Sequence, residues 1–167
     1  TDETVAQLRA QVGTELVGND QPYIEAATRD AIRHFAFGMG DYNPLWTDEA
    51  YARGTRFGGL VAPPTILYAA GYHRHHGLRG AHGLHAGGTW EWSRPIRVGD
   101  RIASKCYLAD VQEKQGRFGG REVVQTWRVD YTNQDSAPLA SCYMWTIRAD
   151  RTAAQGRGKY SDLQKPT

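Results

Sequence analysis

Asp41, Asn43 and Trp46 sit close together in GMGDYNPLWTD, the stretch from Gly38 to Asp48. A carboxylate can move a proton next to a carbonyl, and an amide can orient the groups involved. The next functional group of such a site should be a base. Trp46 cannot be one, because an indole nitrogen only donates a hydrogen bond. The pattern also suits a plain turn, in which Asp and Asn bond their own backbone and Pro stiffens the loop. Two neighbouring features favour chemistry. Gly38 and Gly40 leave room for close approach, and the loop runs on into the start of a long helix. A helix start offers backbone donors and a dipole to a developing negative charge.

Other groups could supply the missing base. His82 and His85, just before AGGTWEW, titrate in the right range, yet they equally suit a solvated, glycine-rich connector. His73, His75 and His76 adjoin one another near the end of the long helix, where positive charge suits the dipole and a metal site is the lesser alternative. His34 reads as a helix-surface residue. Cys106 and Cys142 lie in apolar strand-like stretches and read as reduced core thiols, with no Cys-x-x-Cys pair to hold a structural zinc. Trp90, Trp92, Trp127 and Trp145 alternate along strand-like segments, as core packing or a dimer interface would require.

The elements that must position these groups follow from periodicity. The chain has 167 residues, 40% hydrophobic and 23% charged, which predicts one sizeable core and excludes a disordered chain. A net charge of +2 with scattered basic residues gives no footprint for nucleic acid. The N-terminus TDETVAQLRA is polar and acidic, unlike a signal peptide, and no apolar stretch approaches the ~20 residues of a membrane span. A soluble, cytoplasmic protein is expected.

Helices are predicted over Asp2 to Val12 and after Thr28, the latter with Ile32, Phe35 and Ala36 on its apolar face. Tyr23 to Ala26 is a possible short strand, and Asp48 to Ala52 a short helical turn. Pro63 and Pro64 open a helix whose Ile66, Leu67, Ala70 and Gly71 form a buried face, pressed closely against a sheet. GLRGAHGLHAGG follows as a flexible connector. The period then changes to two, with a turn at Gly99-Asp100 and a hairpin connection at QGRFGG. One long helix against several antiparallel strands is an α+β arrangement, and a sheet wrapped around a buried central helix is the hotdog fold. Residues 1–151 are expected to form this domain with an N-terminal helical extension, and 152–167 a polar, mobile tail.

FAFGMGDYNPLWTDEAYARGTRFGGLVAPPTILYA resembles the MaoC-like hydratase/dehydratase superfamily, relatives of R-specific enoyl-CoA hydratases. The family motif reads Gly-Asp-x-Asn-Pro-Leu-His, then an Asp, then a helix beginning near His-Gly. LHAGGTWEWSRPIRVGD and GGREVVQTWRVDYTNQDSAPLA resemble the branch made up of the dehydratase-like N-terminal halves of double-hotdog enzymes and their stand-alone relatives. The match runs from about Tyr23 to Asp150.

The resemblance implies reversible hydration of a 2-enoyl thioester, or dehydration of its 3-hydroxyacyl form, carried by CoA or acyl carrier protein. It implies no cofactor and no metal, and a homodimer or a heterodimer with a second hotdog subunit. By position, Asp41 is the acid/base and Asn43 its orienting partner, while Trp46 holds the histidine position. The family's His-Gly falls on Pro63 and Pro64. Pro64 has no N–H, so an oxyanion donor must come from Val61, Ala62 or Thr65. Three readings stay open. The chain is a hydro-lyase in which Asp41 works with another base such as His85. Or it is a substrate-binding partner subunit in which Trp46 shapes an acyl tunnel. Or it is a hotdog adapted to another reaction, such as cyclisation of a polyketide-like substrate.

Overall fold

A computed structural model describes residues 2–16, 22–71, 81–116 and 120–150 of the chain. Helix α1, Asp2–Ala10, buries Val5 and packs Leu8 against the core. It stops short of Val12, which faces solvent, because the chain turns at Gly13 (φ +85°) and the Gly13 N–H bonds the Leu108 carbonyl. A two-residue strand β1, Glu15–Leu16, follows.

The strand expected over Tyr23 to Ala26 reduces to one bridge, between Ala26 and Arg101. Its hydrogen bonds go to separate partners instead of one ladder. Ile24 N–H bonds Ala69 O, Glu25 O accepts from Ile102, and Ala27 exchanges bonds with Asp100 and Gly99. Helix α2, Arg29–Gly38, is capped by Thr28 as predicted, with Ala31 N–H bonding its Oγ1 at 3.1 Å. Ile32 and Ala36 are fully buried, Phe35 packs against the core, and His34 is exposed.

Four long strands complete the sheet: β2 (Ala81–Trp92), β3 (Ala103–Gly116), β4 (Gly120–Thr132) and β5 (Pro138–Asp150). Their order is β1-β3-β4-β5-β2 and every pairing is antiparallel. The two-residue alternation of β4 turns Val123, Gln125, Trp127, Val129 and Tyr131 to the buried face. A 3-10 turn, Pro64–Ile66, runs into helix α4, Leu67–Ala70. Ile66, Leu67 and Ala70 bury themselves in one cluster with Cys106, Leu108, Val129 and Cys142. Contact is close at Gly71, where an added Cβ would lie 2.5 Å from the Tyr131 ring and 2.9 Å from Ser104 Oγ. An antiparallel sheet with such a helix against its face is the hotdog arrangement. The long helix expected to run on through Gly71 is corrected: α4 ends at Ala70, because Gly71 leaves the helical backbone (φ −150°, ψ 64°). His73, His75 and His76 lie outside the described residues, as does the predicted tail.

The expected connector is corrected as well. Ala81 to Gly88 is the first part of β2, paired with β5, and not a connector. Glycine reads as loop in a sequence, but here the partner strand fills the space that glycine leaves. Arg148 packs over Gly83, and the Trp145 ring lies 3.5 Å from where a Gly87 Cβ would be. Gly87 also sits at a bulge with φ +150°, a backbone state that suits glycine. Among the described residues no helix is long and apolar enough to cross a membrane.

Candidate functional site

The Asp41 loop is built outward from the end of α2. Gly40 adopts φ +71°, its N–H bonds Phe37 O at 3.0 Å, and the Asp41 N–H reaches back to Ala36 O at 2.8 Å. This is a Schellman closure, anchored on a fully buried residue, so the backbone of Asp41 is fixed. Its Oδ1 accepts the Asn43 N–H at 3.1 Å. Asn43 in turn caps the 3-10 turn Pro44–Trp46 by accepting the Leu45 N–H at 3.0 Å. That turn carries Trp46 back towards Asp41, and the indole Nε1 donates to Asp41 Oδ2 at 2.8 Å.

The tryptophan is therefore a hydrogen-bond partner of the acid, standing where a base would be expected. Both carboxylate oxygens are engaged. The helical turn expected over Asp48 to Ala52 is helix α3, Glu49–Arg53, with Asp48 as its N-cap through the Tyr51 N–H. Glu49 joins α3 to α2 through Arg29 at 3.0 Å, with Arg53 on its other oxygen at 2.7 Å. The hydrogen bond from Arg29 holds the Glu49 carboxyl below its ordinary value.

Trp46 also walls a cavity of about 340 Å³. Val61, Ala62 and Pro64 line it from the segment before α4, and Phe57, Trp92 and Ile96 line it from other sides. Thus Trp46, Val61 and Ala62 are brought together around one space, while Asp41, Asn43, Thr65 and His85 do not line it. The Ala62 N–H is used by Ile96 O at 2.8 Å. Val61 faces Arg97 in a β-bridge. Thr65 is exposed at the start of the 3-10 turn. His85 is exposed on β2, opposite Thr146, and His82 is half-buried opposite Ala149. Neither histidine bonds Asp41, whose side-chain oxygens accept from Asn43 and Trp46.

Sequence reasoning missed the far wall, formed by the link from β2 to β3. Asp100, buried, accepts Arg97 N–H at 2.7 Å, Arg94 Nη2 at 3.3 Å and Asn133 Nδ2 at 3.3 Å. Arg97 Nη1 then donates to Phe57 O at 2.9 Å, tying this link to the loop after α3. The signal was one acid among three basic residues in SRPIRVGDR. The four tryptophans also separate. Trp127 is buried, Trp90 and Trp145 are half-buried, and Trp92 is exposed at the cavity. Trp90 stacks on Trp92 and donates to Tyr68 Oη at 3.0 Å.

Fold and loop together define a MaoC-like hotdog domain. The family model described as FAS1-like, dehydratase domain region, matches residues 10–142, and the chain belongs to that family. A UPF0336 protein of Thermobifida fusca is 30% identical over 138 residues, covering 78% of this chain and 87% of that one. For a UPF0336 protein of Streptomyces avermitilis the figures are 28% over 96 residues, 53% of this chain, and the chain spans 64% of that protein's length. Among solved structures, the ChsH1-ChsH2 complex from Mycobacterium tuberculosis superposes with a TM-score of 0.70 at 18% identity, covering 89% of this chain and 95% of the matched one. A MaoC-like dehydratase from Rhodospirillum rubrum gives 0.60 at 23% identity, with 75% and 86% covered.

Proposed function

We propose that this chain is the acyl-binding half of a hotdog hydratase/dehydratase for a 2-enoyl or 3-hydroxyacyl thioester of CoA or acyl carrier protein. A second hotdog unit supplies the proton-transferring pair. The observation that carries the reading is the 2.8 Å bond from Trp46 Nε1 to Asp41 Oδ2. A general base must aim a lone pair at the proton it takes. Here each oxygen of Asp41 already accepts one hydrogen bond, from the Asn43 backbone N–H and from the indole, and the indole stands where the second proton-transferring group would be. Trp46 meanwhile turns a large apolar face to the cavity, which suits an acyl chain. The fold likeness to a complex named for two different chains agrees with a two-subunit site.

The test is hydration of an enoyl thioester by the protein alone, then with a hotdog that carries an intact Asp-x-Asn-Pro-x-His loop. No turnover is expected alone, and turnover is expected in the mixture. Asp41→Asn should leave the mixture nearly as active, while Trp46→Ala should change its acyl-length preference. Hydration by the isolated protein that falls roughly 10²–10⁴-fold with Asp41→Asn would overturn this reading and make Asp41 the acid/base of a stand-alone hydro-lyase.

A further inference from the structure

The cavity beside Trp46 has an unusual charge for its apolar lining. Two arginines, Arg56 and Arg94, line it, and no Asp or Glu does. Arg94 is partly neutralised through Asp100, which it shares with the Arg97 N–H and Asn133. Arg56 differs. Arg29, Arg33 and Arg53 each hold a carboxylate, but Arg56 has no ion pair among the described residues. Its guanidinium instead rests over the Phe57 ring, 4.9 Å from the centroid. Phe57 is itself tied down through its carbonyl by Arg97. The cation is thus held at an aromatic wall with no donor spent among the described residues, and a stacked guanidinium keeps its planar fork free for an anion.

We infer that the cavity selects a ligand joining an apolar body to an anion, with Arg56 as the residue that reads the anion. This deepens the acyl-binding reading and rests on it for the apolar body. The anion has two chemical sources, a carboxylate at the far end of the acyl group or a phosphate of the carrier arm.

Equilibrium binding of hexanoyl-CoA, adipoyl-CoA and free CoA to the whole chain, with Arg56→Met and Arg56→Lys, separates these cases. Arg56 is exposed and makes no ion pair among the described residues, so both variants should fold. If a terminal carboxylate is read, adipoyl-CoA binds about tenfold more tightly than hexanoyl-CoA, and Arg56→Met removes the difference. If a carrier phosphate is read, all three ligands weaken about tenfold in Arg56→Met. Arg56→Lys should retain part of the effect in either case. Binding of both thioesters that is indifferent to Arg56→Met overturns the inference and leaves the acyl-binding function standing. Failure of the wild-type chain to bind any of the three ligands overturns both.

Discussion

Trp46 is held by two demands that a smaller residue would meet only singly. Its N–H satisfies a half-buried carboxylate, and its ring closes one side of the cavity. Trp46→Phe keeps most of the ring and removes the donor. Hydrogen bonds to charged groups contribute about 1.5–3 kcal/mol, and partial exposure places this one at the lower end. Urea unfolding should show a loss of about 1–2 kcal/mol, and an unchanged midpoint would mean that the bond is structurally idle. The two buried thiols give a second residue-scale expectation. Burial pushes Cys106 up to about 12 and Cys142 up to about 11, both from an ordinary value of 9.0. Both should resist thiol reagents at pH 8 until the chain unfolds. They flank Val129 on neighbouring strands, two strand spacings or about 10 Å apart, too far for a disulfide. The sign of the linkage is set by raised folded values. Their stabilising effect is complete below pH 9 and is lost as pH rises from 9 towards 11–12. The melting temperature should fall over that window, and fall less steeply when either Cys is replaced by Ala.

At the scale of elements, the tightest fit is between α4 and the sheet. Gly71 has φ −150°, which alanine tolerates, so the cost of Gly71→Ala comes from the added Cβ meeting Tyr131 and Ser104. Overpacking of this kind costs about 1–3 kcal/mol, measurable as a lower thermal midpoint. An unchanged midpoint would show that Tyr131 can swing aside, although it is 2% exposed. That close approach was legible in the sequence, as were the buried face of Ile66, Leu67 and Ala70, the Thr28 cap, the turn from Asp48 to Ala52 and the β4 alternation. Each of these depends on local spacing. The start of β2 was not legible. Its glycines are explained by Arg148 and Trp145, which lie about sixty residues further along the chain. The site divides in the same way. Asp41 and Asn43 announce their turn through their own spacing, whereas the walls at Trp92 and Arg94 meet Trp46 only once the sheet is formed.

At the scale of the whole molecule, the sheet edge at β2 sets the expected assembly. Twelve residues, Ala81–Trp92, pair with β5 on one side and have no partner strand on the other among the described residues. Proteins that stay monomeric blunt such edges with lysine, proline or short strands. AHGLHAGGTWEW has neither residue, and Glu91 is its one carboxylate. The bulge at Gly87 interrupts this edge near its middle, and the stretches on either side of it are suited to pairing with another hotdog, either a second copy or a different subunit. Light scattering at micromolar concentration should therefore give a dimer, of this chain alone or with a catalytic partner. Leu84 is an exposed apolar residue on this strand. A charge there opposes edge pairing, so Leu84→Lys should weaken the dimer by about tenfold or more, while the unfolding free energy of the protomer stays within about 0.5 kcal/mol of wild type. A chain that stays monomeric, both alone and when mixed with a hotdog bearing the intact loop, would leave the β2 edge without a partner. It would also remove the two-unit site, because the proton-transferring pair would then have no second chain to stand on.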